Sequence, residues 1–228
     1  MPCHLVLLSA GLDSCVNFLM ALENGGVGMA VTVDYGQRAA CMEVKRANVL
    51  CESRGVEHMV IDCAWLGGIS RDALTSWNKD VPMVEAAELE RGSGCGVESV
   101  WVPNRNGLLA NLGACVAEAL GLEWVVMGLN AEEAEEFPDN SALFVERMNR
   151  VWESSTLTGV HLKSFTINWD KKDVLRQALA LDLDFQLIWS CYNGEDLMCG
   201  RCDPCTRLLR AARQVGASDR IAQLFSRK

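Results

Sequence analysis

The sequence predicts an α/β fold, a doubly wound and mostly parallel sheet, with a small cysteine-rich segment at the C-terminal end. Three observations predict it. Apolar runs of strand length alternate with stripes at helical spacing, the pattern of a parallel sheet covered by helices on both faces. The first apolar run breaks into Ser9-Ala10-Gly11-Leu12-Asp13-Ser14, a small-residue turn that opens a helix. Cys191, Cys199, Cys202 and Cys205 cluster late in the chain at C-x7-C-x2-C-x2-C.

Residues 5–8 form a buried strand, and Val16, Leu19, Met20 and Ala21 are the apolar stripe of the helix that follows. The N-terminus of that helix offers backbone N–H groups and a partial positive charge to an anion, with Ser9 and Ser14 adding hydroxyl donors. A plain turn with Asp13 or Ser14 as a helix cap would use the same residues. Residues 29–33 give a second strand, ending at Asp34-Tyr35-Gly36-Gln37-Arg38. Val44, Ala47, Leu50 and Cys51 share one face of the next helix, closed near Gly55, and residues 56–61 read as a third strand. Ligands of open parallel sheets bind beyond the carboxyl ends of the strands, so 9–14 and 34–38 fall on one edge.

Between residues 63 and 100 the periodicity weakens around Gly67-Gly68, Pro82 and the glycines at 92–96. So long a stretch reads as a partly helical lid or insertion, set against a solvated loop. Val102-Pro103-Asn104-Arg105-Asn106 then opens a small-residue helix over 108–120, capped by Gly121, and 124–129 is the next strand, ending at Asn130. Arg105, Asn106 and Asn130 lie at element ends, where polar side chains either cap or face a ligand. Glu132, Glu133, Glu135 and Glu136 read as a solvated face, without the interleaved pattern of a magnesium cage. A helix from about Ala142, a strand over 160–167 and a helix starting near Asp170 complete the unit. Lys171 and Lys172 stand in the first turn of that helix, where the macrodipole disfavours cations; a phosphate partner or simple solvation accounts for them.

At 228 residues and 50% hydrophobic, the chain is long enough to bury one sizeable core, and a single domain over 1–228 is the default. Its net charge of -9 disfavours nucleic acid as a partner. No apolar run approaches membrane-spanning length and the N-terminus lacks a signal-peptide layout, so no membrane partner and a cytoplasmic location are expected. Of eleven cysteines, seven (Cys3, Cys15, Cys41, Cys51, Cys63, Cys95 and Cys115) are scattered singly and read as small core hydrophobes. The clustered four can reach one tetrahedral cation; an iron–sulfur cluster also takes four cysteines. With no redox partner motif or radical-type cysteine triad, zinc is favoured, in a closed structural site that pins residues from about 186 to 228 onto the domain.

The 9–14 turn resembles the SGGxDS loop of the pyrophosphatase-type (PP-loop) ATPases, with Ala10 where that loop usually has its first glycine. DYGQR at 34–38, VPNRN at 102–106, GLNAE at 128–132 and WSCY at 189–192 follow, in that order, with the cysteine cluster. Together they resemble the QueC family, the 7-cyano-7-deazaguanine synthases of queuosine biosynthesis, over nearly the whole chain. The resemblance implies a PP-loop, HUP-like variant of the Rossmann-type fold and a homodimer. It implies ATP with Mg2+ on Leu8, Ser9, Ala10, Gly11, Leu12, Asp13 and Ser14, and Zn2+ on the four clustered cysteines. The family adenylates the carboxylate of 7-carboxy-7-deazaguanine, lets ammonia displace AMP to give the amide, and adenylates the amide oxygen so that the nitrile can form.

Such chemistry needs no nucleophilic side chain and rests on positioning and charge stabilisation, for which Ser9, Asp13, Ser14 and Lys171 are the catalytic candidates. Gln37, Arg38, Arg105, Asn106, Gly128, Asn130 and Asp139 are assigned to the substrate side. The chain departs from the family at Asn104 (usually glycine), Ala39 (histidine), Ile188 (threonine) and at Asn140-Ser141, where SGYPDCR ends in Cys-Arg. These departures open a second reading, a divergent ligase joining a deazaguanine carboxylate to another amine, such as a protein N-terminus in a phage-defence setting. A third, from another class, is a non-catalytic nucleotide-binding zinc scaffold disabled at Ala10.

Overall fold

The apolar run that opens the chain becomes the middle strand of a five-stranded, all-parallel sheet. The computed structural model describes residues 2–85, 89 and 96–226. In chain order its elements are β1 (His4–Leu7), α1 (Leu12–Glu23), β2 (Val27–Asp34), α2 (Ala40–Arg54), β3 (His58–Asp62), α3 (Trp65–Ile69), α4 (Val97–Val100) and α5 (Arg105–Leu120). There follow β4 (Trp124–Val126), α6 (Ala131–Ala134), α7 (Ala142–Ser155), β5 (His161–Lys163), α8 (Lys171–Ala180), α9 (Asp203–Val215) and α10 (Ser218–Ile221). The strand order is β3-β2-β1-β4-β5, so the winding reverses between β1 and β4, where a doubly wound sheet opens its ligand crevice.

Alternation along the strands divides the core. Val6, Leu8 and Ala30 pack with the apolar faces of α1, α2, α8 and α9. Leu5, Leu7, Val31 and Val33 pack on the other side with Ala110, Ala114 and Ala117 of α5 and Trp152 of α7. Both faces are therefore covered, as the near-continuous apolar strands require. Gly55 and Gly121 close α2 and α5 in the left-handed conformation, at φ 64° and 67°.

The fifth strand is shorter than the 160–167 run. Its polar residues leave the ladder to close off a carbonyl on the neighbouring strand's extension: Ser164 Oγ and Thr166 Oγ1 donate to Leu129 O at 2.9 and 2.7 Å. Residues beyond β3 form a strap. Buried Asp72 accepts from Leu74 N (2.6 Å), Thr75 N (3.1 Å), Thr75 Oγ1 (2.8 Å) and Ser70 Oγ. The strap then reaches the cysteine-rich segment, where Val84 N donates to Arg201 O at 2.9 Å. The glycines at 92 and 94 lie outside the described residues.

The single cysteines divide. Cys15, Cys51 and Cys63 are buried, Cys3 is half-buried, and Cys41 and Cys115 are exposed on α2 and α5, correcting their reading as core residues. Cys95 lies outside the described residues. Among the described residues no helix is long and apolar enough to cross a membrane.

Candidate active site

The turn after β1 lines a cavity of about 230 Å³ at the carboxyl edge of the sheet. Ala10 has φ 56°, a left-handed conformation that costs an L-residue about 1–2 kcal/mol, which is why glycine suits this point of the loop. Its methyl group is fully buried in the apolar core and is not among the cavity-lining groups. Gly11 is the N-cap of α1, and no side chain caps the helix. Neither Asp13 nor Ser14 is spent as a cap, and the first-turn N–H groups remain open to an anion. Ser14 Oγ donates to Gly11 O at 3.0 Å and lies 3.2 Å from Ser9 Oγ, so both hydroxyls stand at this helix mouth. Gly128, at the end of the β4 segment, allows the close approach: a Cβ there would lie 2.5 Å from Ser14 N.

Lys171 is buried between two carboxylates, Asp13 Oδ2 and Glu133 Oε1, each 2.6 Å from its Nζ. Burial alone would lower the Lys171 pKa, but the charges of Asp13 and Glu133 outweigh it and raise it, so the ammonium persists. Burial likewise raises Glu133, yet Lys171 holds its pKa down at about 2. At Asp13 burial prevails and the pKa is raised despite the lysine. Asn130 ties the set together as N-cap of α6: Oδ1 accepts from Glu133 N at 2.9 Å and Nδ2 donates to Asp13 Oδ1 at 3.0 Å.

The acidic run is therefore no solvated face. Glu135 alone of its four glutamates is exposed. Glu132 and Glu136 meet the buried guanidinium of Arg207 at 2.9 and 2.7 Å, and Asp203 meets it at 2.6 Å. Arg210 also donates to Glu132, whose other oxygen accepts from Lys171 N at 3.2 Å. Among the described residues Lys172 pairs with Asp170 alone, at the surface.

A second group lines the cavity at the end of β2. The Arg105 guanidinium sits 5.8 Å from the Tyr35 ring centroid, with Nη1 3.4 Å from the phenol oxygen. Asn104 before it has φ 50°, a left-handed position that asparagine tolerates, which accounts for its place in a turn where the family has glycine. Gln37 accepts from Tyr35 N (2.8 Å) and donates to Val33 O (3.1 Å) and to Glu43 Oε2 (2.9 Å). Burial pushes the Glu43 carboxyl up to about 7, partly offset by the Gln37 hydrogen bond. Asn106 donates to Asp139 O at 3.2 Å. Of the two residues that replace Cys-Arg, Asn140 lines the cavity and Ser141 caps α7, accepting from Phe144 N at 3.1 Å.

Leu8, Ser9, Gly11, Leu12, Asp13, Ser14, Gln37, Arg105, Asn106, Gly128 and Lys171 thus share one cavity. Arg38 is used elsewhere: it donates to Ser76 O at 2.7 Å and to Lys79 O, and stacks 5.2 Å over Trp77, anchoring the strap. Ala10, Asn130 and Asp139 stand behind the cavity wall, holding residues that line it. Glu43 and Glu133 line the cavity without standing among the sequence-assigned site residues, and Asn140, singled out in the sequence as a departure, lines it too. Lone acids in the first turn of a helix are ordinarily dipole partners, so Glu43 carried no local signal.

The four clustered cysteines converge. Their sulfurs all lie within 4.8 Å of one another, and Cys191 and Cys202 are 3.9 Å apart. A tetrahedral ion bound at about 2.3 Å per thiolate sets its sulfurs just under 4 Å apart, so the set fits one ion. Backbone N–H groups of Asn193 and Cys199 point at Cys191 Sγ, and those of Arg201 and Cys202 at Cys199 Sγ, each at 3.4 Å, stabilising thiolate charge.

A family model described as queuosine biosynthesis protein QueC matches residues 3–216. The 7-cyano-7-deazaguanine synthase of Desulforamulus reducens is 43% identical to this chain, over 92% of it and 93% of its own length. That of Methanosarcina barkeri is 38% identical, over 96% and 97%. Among solved structures, NMN synthetase from Francisella tularensis superposes with a TM-score of 0.51 at 16% identity, covering 98% of this chain and 83% of that one, a likeness of fold.

Proposed function

The chain belongs to the QueC family, and from that premise we propose that it is an ATP-dependent carbon–nitrogen ligase that converts 7-carboxy-7-deazaguanine, with ammonia, into the amide and then into 7-cyano-7-deazaguanine. The observation that carries the reading is the meeting of an uncapped helix N-terminus, Lys171 and Arg105 around one cavity. Ammonia as second substrate and a homodimeric assembly are part of the same proposal.

A carboxylate is a poor electrophile until its oxygen becomes a good leaving group. The substrate carboxylate attacks the α-phosphorus of ATP and pyrophosphate leaves, giving an acyl adenylate. Ammonia adds to the acyl carbon, AMP departs, and loss of a proton gives the amide. The amide oxygen then attacks the α-phosphorus of a second ATP with release of pyrophosphate, and loss of AMP and the two N–H protons leaves the nitrile. The α1 N–H groups with Ser9 and Ser14 receive phosphate oxygens, and Lys171, held by Asp13 and Glu133, stabilises the charge that develops there. Arg105 orients an anionic group on the substrate side. Magnesium bound with the nucleotide would supply charge neutralisation at the phosphates; Asp13, whose two oxygens already meet Asn130 and Lys171, would face it only with its remaining lone pairs. Zinc would be held by Cys191, Cys199, Cys202 and Cys205, a four-thiolate set that would leave no open ligand position and would serve structure.

Incubation with ATP, Mg2+ and 7-carboxy-7-deazaguanine, with and without ammonium, followed by mass spectrometry, tests the reading. Nitrile with two AMP per molecule is expected with ammonium. ADP in place of AMP, or an amide that never advances, would overturn it.

A further inference from the structure

We propose that Glu43 is the specificity-determining acceptor for two adjacent ring donors of the substrate, N1–H and the 2-amino group of the deazaguanine, with Gln37 as its positioning residue. This deepens the function proposed above and rests on it. Glu43 lies in the first turn of α2 and lines the same cavity as Ser9, Lys171 and Arg105.

The orientation of Gln37 is fixed from both ends. Its Oε1 must accept from Tyr35 N at 2.8 Å, and its Nε2 donates to Val33 O at 3.1 Å. The second amide hydrogen is thereby aimed at Glu43 Oε2, 2.9 Å away. Among the described residues that is the hydrogen bond Glu43 receives; the Arg105 charge acts on it through space without a direct ion pair, opposed by the like charge of Asp34. An ionised carboxylate accepts several hydrogen bonds, and this half-buried one, with a single neutral donor from the protein, keeps acceptor capacity for a ligand in the cavity. Burial raises its pKa to about 7, and a ligand that brings donors to the carboxylate favours the ionised form.

Two parallel N–H donors complete a carboxylate best. The 2-amino-6-oxo edge of a deazaguanine presents N1–H beside N2–H at that spacing. Adenine presents an acceptor, N1, beside one donor, and a carboxylate repels the acceptor. Glu43 therefore also directs which of the two bases enters this part of the cavity.

The test is equilibrium binding, without turnover, of 7-carboxy-7-deazaguanine, of its analogue lacking the 2-amino group, and of ATP, to wild type and E43Q. Wild type should prefer the parent base over the analogue by at least about tenfold, the scale of a bidentate base contact. E43Q should lose most of that preference while its ATP affinity changes less than about twofold, and in turnover KM for the base should rise with kcat little changed. E43D, which keeps the charge on a shorter stem, should bind the base more weakly yet retain the direction of preference, and supplies the result if E43Q fails to fold.

An undiminished preference in E43Q would overturn the assignment. Weakened ATP binding would place adenine at Glu43, and a fall in kcat at constant KM would make it a proton acceptor; either outcome also overturns it. Wild type that binds no deazaguanine overturns the proposed function itself, whereas binding and turnover with a failed E43Q result removes only this inference.

Discussion

Ala10 and Glu43 show how far a single residue can be read from its neighbours. A methyl group in the proposed phosphate-binding loop looks like an obstacle, yet the left-handed turn at Ala10 carries it into the core. A10G should therefore relieve about 1–2 kcal/mol of strain, lose roughly 0.8 kcal/mol of buried methyl and gain unfolded-state entropy, leaving stability within about 1 kcal/mol of wild type and ATP affinity unchanged. Urea unfolding and nucleotide titration check both. Glu43 works against stability. The folded chain holds its proton to about pH 7 and the unfolded chain only to about 4.5, so its contribution is neutral below about pH 4.5 and becomes a cost as pH rises towards 7. E43Q should be more stable than wild type at pH 8, by roughly 3 kcal/mol at most, with the gap closing towards pH 4.5. Equal pH profiles for the two proteins would refute the raised pKa. Nothing local distinguishes Glu43 from an ordinary helix-start acid; its meaning comes from Gln37, six residues earlier, and from the cavity.

At the scale of elements, the misread acidic run explains how the cysteine-rich segment meets the candidate active site. Sequence patterning weighs neighbours, whereas the partners of Glu133 and Glu136 lie 38 and 71 positions away, on α8 and α9. Arg207 on α9 holds Glu132 and Glu136 on either side of Glu133, which in turn holds Lys171. R207M leaves Asp203 and Glu136 without their cation and Glu132 with Arg210 alone, and should cost about 3–5 kcal/mol by urea unfolding; a loss under about 1 kcal/mol would mean the pairs act as surface pairs do. C199S should lower bound metal, measured by elemental analysis, and increase proteolysis within α9 while far-UV signal from the sheet domain persists, because Cys202 is the N-cap of α9. The strands and most helices were legible, because burial on both faces leaves apolar runs and glycine stops. The last strand was over-read, since Ser164 and Thr166 serve Leu129 O instead of a ladder.

For the whole molecule, the winding order places β1, β2 and β4 side by side, and their carboxyl ends deliver the Ser9–Ser14 loop, the Gln37–Glu43 pair and the Asn130–Glu133 turn to one cavity. That edge was legible from the strand–helix alternation and from motifs at strand ends. Arg38 was less so: its motif lies on the right edge, but the guanidinium turns outward to the strap, a tertiary choice that adjacent residues do not encode. The central claim is that the substrate carboxylate is activated by transfer of AMP. The most direct measurement uses 7-carboxy-7-deazaguanine labelled with 18O in its carboxylate, with ATP and ammonium, and locates the label by mass spectrometry. Adenylation followed by displacement should carry one 18O into each AMP released, with none in pyrophosphate. Label in inorganic phosphate alongside ADP, or AMP free of label, would contradict it.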